Sequence, residues 1–147
     1  MTPRLDPDSF GFLVTDLARL IRADLDRRIL SAGIGVTPGE ARTLAYAVRF
    51  GTLRQNILAE RMGLEAMTLS TYLDRLEQRG LIERKADPND RRAKLVRVTA
   101  EGDKVLESVL RVADEVRRRA RGKLSQEDWS RLQKLLKVVR ANISDQP

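Results

Sequence analysis

The chain has 147 residues, of which 33% are charged and 4% aromatic, a balance that fits one helix-rich domain or one subunit of a tight oligomer and not a β-sandwich. Lys and Arg number 28 against 21 Asp and Glu, and the net charge of +7 favours polyanions such as nucleic acid or an acidic membrane surface. The absence of Cys excludes disulfides, thiolate zinc sites and thiol redox sensing within one chain, and the absence of His removes the commonest metal ligand and the usual general base near neutral pH.

The first predicted helix starts near Asp8 or Ser9 and ends by Gly33, with Leu13, Leu17, Leu20, Leu25 and Ile29 at helical spacing. Thr37-Pro38-Gly39-Glu40 reads as a capping box with proline at the first helical position, opening a second helix closed by Gly51. Thr52 and Gln55 repeat that capping logic for a short third helix through Met62. After Gly63, a fourth helix runs from about Ala66 to Arg79 and stops at Gly80, with Leu69, Leu73 and Leu76 as its apolar line. The period then changes. Leu81–Lys85 and Ala93–Val98 are expected as two strands around the turn from Asp87 to Asp90. Thr99 caps a long helix to about Arg121, striped by Val105, Val109, Val112 and Val116 and widened by Leu106 and Leu110. Ser125 with Asp128 opens a last helix carrying Trp129, Leu132, Leu135, Leu136, Val139 and Ile143. The longest apolar runs fall far short of the ~20 residues of a membrane span. The N-terminal stretch has no apolar core of signal-peptide type, so the cytoplasm is the expected compartment.

Residues 52–79 follow the helix-turn-helix plan: small Ala59 allows a close crossing, Gly63 permits positive φ in the turn, and Leu69 locks the second helix down. The outer face of that second helix is then Ala66, Met67, Thr68, Ser70, Thr71, Asp74 and Arg75. Small polar side chains near a helix N-terminus approach base edges closely, and the terminus itself favours phosphate. Tyr72 is read as a core residue or a phosphate donor, with the core preferred. From Arg84 to Arg97 six bases (Arg84, Lys85, Arg91, Arg92, Lys94 and Arg97) meet two acids, Asp87 and Asp90. Arginine at a hairpin tip suits the minor groove, and Asp90 can bond the turn backbone or hold an arginine in position. The candidate DNA-binding set is therefore Ala66, Met67, Thr68, Ser70, Thr71, Arg75, Arg84, Lys85, Asp90, Arg91, Arg92 and Lys94.

The run LAERMGLEAMTLSTYLDRLEQRGLIERKADPNDRRAKLVRVTAEG, Leu58 to Gly102, resembles the core of the MarR family of winged-helix transcriptional regulators. Its most specific stretches are LDRLEQRGLIER and DPNDRRAKLVRVTAEG, and SlyA-like members share the DRRAK run. The resemblance implies a mainly α fold with a β-hairpin wing. In the family the helix matching Ala66 to Arg79 enters the major groove. The arginine of its D-x-R element, matched by Asp90 and Arg92, enters the minor groove. One departure stands out: the family commonly has Ser or another good cap where this chain has Glu65, which caps poorly and repels a nearby phosphate.

The resemblance also implies one domain over residues 1–147. A DNA-binding lobe spans 37–99, and dimerisation helices span 9–33 and 100–144. The wide apolar stripes of the terminal helices point to another subunit, and the resemblance implies that these helices interleave into an intertwined homodimer. Two recognition helices about 34 Å apart would meet an inverted repeat in double-stranded DNA. Family members are most often repressors, and a small aromatic or phenolic ligand frequently releases them from DNA. Arg19, Arg22, Arg42 and Arg49 lie on helices that could border such a ligand. Arg117, Arg118, Arg119, Arg121 and Lys123 suit the dipole at the end of their helix. The alternatives are a protein-interaction module whose basic face meets an acidic partner, and an enzyme. No paired-acid motif, phosphate-cradling glycine loop, metal-ligand spacing or cofactor motif supports the enzyme.

Overall fold

In the computed structural model residues 1–144 are described, and the C-terminal residues 145–147 of the expected 1–147 domain lie outside them. The elements are α1 (Phe10–Ala32), α2 (Pro38–Phe50), β1 (Leu53–Arg54), α3 (Gln55–Met62), α4 (Ala66–Gln78), β2 (Ile82–Asp87), β3 (Asp90–Val98), α5 (Ala100–Arg121) and α6 (Gln126–Ile143). Local chemistry sets most of their ends. Thr37 closes both halves of a capping box: its hydroxyl accepts the Glu40 N–H at 3.2 Å, and Glu40 accepts the Thr37 N–H at 2.7 Å. Thr99 and Ser125 accept the N–H groups of Gly102 and Asp128 at 3.1 and 3.0 Å. Gly63 turns the chain between α3 and α4 at φ 65, a conformation that a side chain at Cβ would strain.

One expected cap is corrected. Arg54, not Thr52, precedes α3, and no side chain caps that helix. Leu53 and Arg54 instead form β1, opposite Val96 and Leu95. The sheet is therefore three-stranded and antiparallel, in the order β1-β3-β2, where the sequence suggests two strands. Two residues cannot announce a strand by periodicity; β1 exists only because β3 passes beside it.

The wing strands also reach further than expected, meeting at a Pro88-Asn89 loop. The loop needs no residue at positive φ. The Asp87 carboxylate holds it by accepting the Asn89 N–H at 2.9 Å. The ladder runs regularly from Ile82↔Val98 to Ala86↔Lys94 and then jumps to Asp87↔Asp90. Arg91, Arg92 and Ala93 have no counterpart on β2 and form a bulge at the wing tip, a device that re-aims side chains.

A core of Leu44, Leu58, Leu69, Leu73 and Leu76 joins the helix-turn-helix to Ile82 and Val96 of the sheet, and all seven side chains are fully buried. Fully burying each contributes about 1.5–3 kcal/mol. Helices α1 and α5 run antiparallel, pinned by Arg28–Glu115 at 2.9 Å and Asp24–Arg119 at 3.0 Å. Asp24 also pairs with Arg27 and Arg28. Burial opposes its ionisation, but the Arg28 guanidinium and the charges of Arg119 and Arg27 outweigh it and hold the carboxyl below the ordinary range. Gly102 sits where a Cβ would collide with the Leu81 carbonyl, so α5 begins directly against the start of the wing.

The terminal helices leave much apolar surface uncovered. Helix α6 buries no residue, and Leu132, Leu135, Leu136, Val138 and Ile143 are all exposed. The first half of α1 is equally open at Phe10, Leu13, Leu17 and Leu20.

Candidate nucleic-acid interface

One face of the N-terminal half of α4 is open, while Leu69 on the opposite face is buried. Ala66, Met67, Thr68, Thr71, Asp74 and Arg75 are exposed, and Ser70 is half-buried. Met67, an apolar side chain, is 83% exposed. Glu65 stands at the N-cap without any side-chain hydrogen bond, so the first N–H groups of α4 keep their donors for an outside acceptor. The Thr71 hydroxyl donates to the Met67 carbonyl at 3.1 Å, which orients its lone pairs outward. Tyr72 is half-buried, its ring pressed on Gly39 so closely that a Cβ there would collide with it. This agrees with a packing role.

The wing presents Lys85, Asp90, Arg91, Arg92 and Lys94 as exposed side chains. Asp90 accepts the Arg92 N–H at 3.1 Å and so shapes the bulge that carries the two arginines. Among the described residues Arg75, Arg91, Arg92 and Lys94 make no ion pair, and Lys85 has only a 3.9 Å contact with Glu83. Ala66, Asp90, Arg92 and Lys94 border one cleft of about 420 Å³ together with Arg54, Gln55 and Asn56. The wing, the start of α3 and the start of α4 thus share one surface. Arg54, Gln55 and Asn56 are missing from the set read from sequence. Only the β1–β3 pairing brings them here, and no local motif signals it.

Arg84 belongs elsewhere. Its side chain is 16% exposed and donates to Asp74 at 2.6 Å and Glu77 at 2.9 Å, with Gln55 Oε1 at 3.5 Å. It ties β2 to α4 instead of facing outward with the other bases. The pairing holds the Glu77 carboxyl below its usual range and raises the Arg84 guanidinium further. A second tie lies at the wing tip, where Arg54 Nε donates to Asp87 Oδ2 at 2.7 Å. The Asn89 N–H first, and then Arg54, hold the buried Asp87 carboxyl below the ordinary range.

The arginines considered for an effector pocket do not converge. Arg22 and Arg42 line a cavity of about 30 Å³ with Tyr46 and Tyr72, room for about one water. Arg49 stacks on Phe50 with 4.9 Å to the ring centre, and Arg19 lies 3.7 Å from Asp16. No group of side chains able to hold a metal ion occurs among the described residues. No described helix is long and apolar enough to cross a membrane.

The MarR family model matches residues 36–94, from the start of the lobe to the wing. The HTH-type transcriptional repressor MdtR of Bacillus subtilis (strain 168) is 40% identical over 76 residues, 52% of this chain and 49% of that protein. The chain spans about half the length of the curated relatives it matches. The crystal structure of a probable transcriptional regulator from Pseudomonas aeruginosa is 32% identical, with a TM-score of 0.68, and the match covers 90% of this chain and 97% of that one. Wild-type MarR from Escherichia coli in its apo form shares the fold at a TM-score of 0.78 and 21% identity, over 93% and 98% of the two chains. The chain belongs to the MarR family.

Proposed function

We propose that this protein is a sequence-specific regulator of transcription, acting as a repressor in the cytoplasm, that binds an inverted repeat in double-stranded DNA as a homodimer. One observation carries the reading. The uncapped start of α4 and the bases Arg92 and Lys94, which make no ion pair among the described residues, open onto the same cleft. Helix α4 then supplies major-groove contacts through Ala66, Met67, Thr68, Ser70, Thr71 and Arg75. The bulged wing supplies backbone and minor-groove contacts through Lys85, Arg91, Arg92 and Lys94, with Asp90 setting the bulge. Arg84 positions the two parts and makes no contact of its own. The open apolar faces of α1 and α6 support the dimer, since a lone chain would expose them to water. A small aromatic or phenolic ligand that favours one separation of the two lobes would release the operator.

Selection from random duplex DNA at low salt tests this reading. A palindromic motif is the expected product, and failure to enrich any sequence would favour an acidic protein partner for the same face. Binding to the enriched site should weaken steeply with salt as counterions are released.

A further inference from the structure

We propose that the cleft of about 660 Å³ where α1, α4 and α5 meet is a binding site for a small multivalent oxyanion, held by Arg79, Lys104 and Arg111. Its effect on the DNA-binding lobe rests on the function proposed above; its existence does not.

The cleft has the size of a ligand site, about 300–1,000 Å³ for typical small molecules. Buried Leu81 forms part of its floor. Glu101, Lys104, Ser108 and Arg111 line it from successive turns of α5, at a spacing that keeps them on one face. Lys104 and Arg111 are seven residues apart, about 10 Å along the helix axis. The long, flexible side chains of Lys104 and Arg111 can close that gap on one compact multivalent anion.

The charges are unbalanced. Three cations face one acid, Glu101, which is 3.0 Å from Lys104. Arg111 has no hydrogen bond or ion pair among the described residues. Arg79 gives one N–H to the Gly35 carbonyl and keeps the rest of its five donors. A planar guanidinium with free donors matches carboxylate or phosphate oxygens in pairs. The Ser108 hydroxyl adds one more donor.

The placement also explains how occupancy would be felt. Arg79 lies one residue beyond α4, and Leu81 lies one residue before β2. Lys104 and Arg111 belong to α5, which leads to the exposed arm. An anion shared by Arg79 and Arg111 draws the end of the recognition helix towards that arm. Occupancy therefore changes DNA affinity to the extent that the ligand prefers one arrangement.

Isothermal titration of the full chain without DNA, using inorganic pyrophosphate and citrate separately, tests the site. At least one is expected to bind with Kd below ~1 mM, in the range of a few charge-assisted contacts. Pyrophosphate alone would indicate a phosphate ester as the ligand, and citrate alone a polycarboxylate. Arg111→Gln should weaken binding about tenfold or more with its melting temperature unchanged. Arg131→Gln, which removes the same charge from α6, should bind as the parent does. No heat with either probe, or equal loss in both variants, would overturn the proposal. Anisotropy with operator DNA then reads the coupling. The bound probe should shift DNA affinity in the parent and not in Arg111→Gln, and an unchanged affinity would remove the regulatory role. Arg92→Ala should still bind the anion, so failure of the DNA reading and failure of this site are separable.

Discussion

Arg54 Nε lies 2.7 Å from Asp87 Oδ2, which joins the residue before α3 to the last residue of the first wing strand. The same carboxylate holds the wing loop through Asn89, so one side chain sets both the wing tip and its distance from the helix-turn-helix. Protonation should loosen both. The folded-state pKa of Asp87 is depressed, as are those of Asp24, Glu77 and Asp114. Their stabilisation is therefore fully present above the unfolded carboxylate values near ~4 and lost as pH falls through the folded values. Thermal melts should be nearly flat from about pH 6 to 8, where no His is present to titrate, and fall in acid. Asp87→Asn should reduce the steepness of that acid limb. An unaltered limb would show that Asp87 contributes nothing to it.

Arg84 and Arg92 should separate in salt titrations of DNA binding. Arg92→Ala removes a base that faces the nucleic acid, so affinity should drop about tenfold and the log–log salt slope should fall by about 1. Arg84→Gln breaks the ties to Asp74 and Glu77 and lets the wing drift from α4. Affinity should drop with the slope unchanged. A reduced slope in Arg84→Gln would mean that it reaches a phosphate after all.

Glu65→Ser offers a gain. Glutamate leaves the first turn of α4 without a cap and places a negative charge beside the expected phosphate. Serine at the N-cap is worth about 0.5–2 kcal/mol over a non-capping residue. The variant should melt higher and bind operator more tightly. Weaker binding would place Glu65 in a base contact.

Leu132 and Leu136 are four residues apart on the exposed face of α6. Changing both to Glu should give a monomer in light scattering while helical content is retained. Loss of two-site attachment should then cost on the order of 10²-fold or more in operator affinity. A double variant that remains a dimer would show that α6 lies outside the subunit interface.

Sequence alone determined whatever depends on neighbours within a few residues. The capping box at Thr37, the N-caps at Thr99 and Ser125, the turn at Gly63 and the Leu69-Leu73-Leu76 line were legible because caps and helical faces are local. The basic hairpin and the outward face of α4 were legible for the same reason. Tertiary structure decided which bases remain available. Arg84 reads as a groove contact by its position in the sequence, yet acids on another element claim it; Arg54, Gln55 and Asn56 join the cleft only because a two-residue strand finds β3. It also made the Arg91–Ala93 bulge, since ladder register depends on both strands together. Charge pairing and strand register are settled between residues far apart in the chain, and no local pattern records which partner prevails.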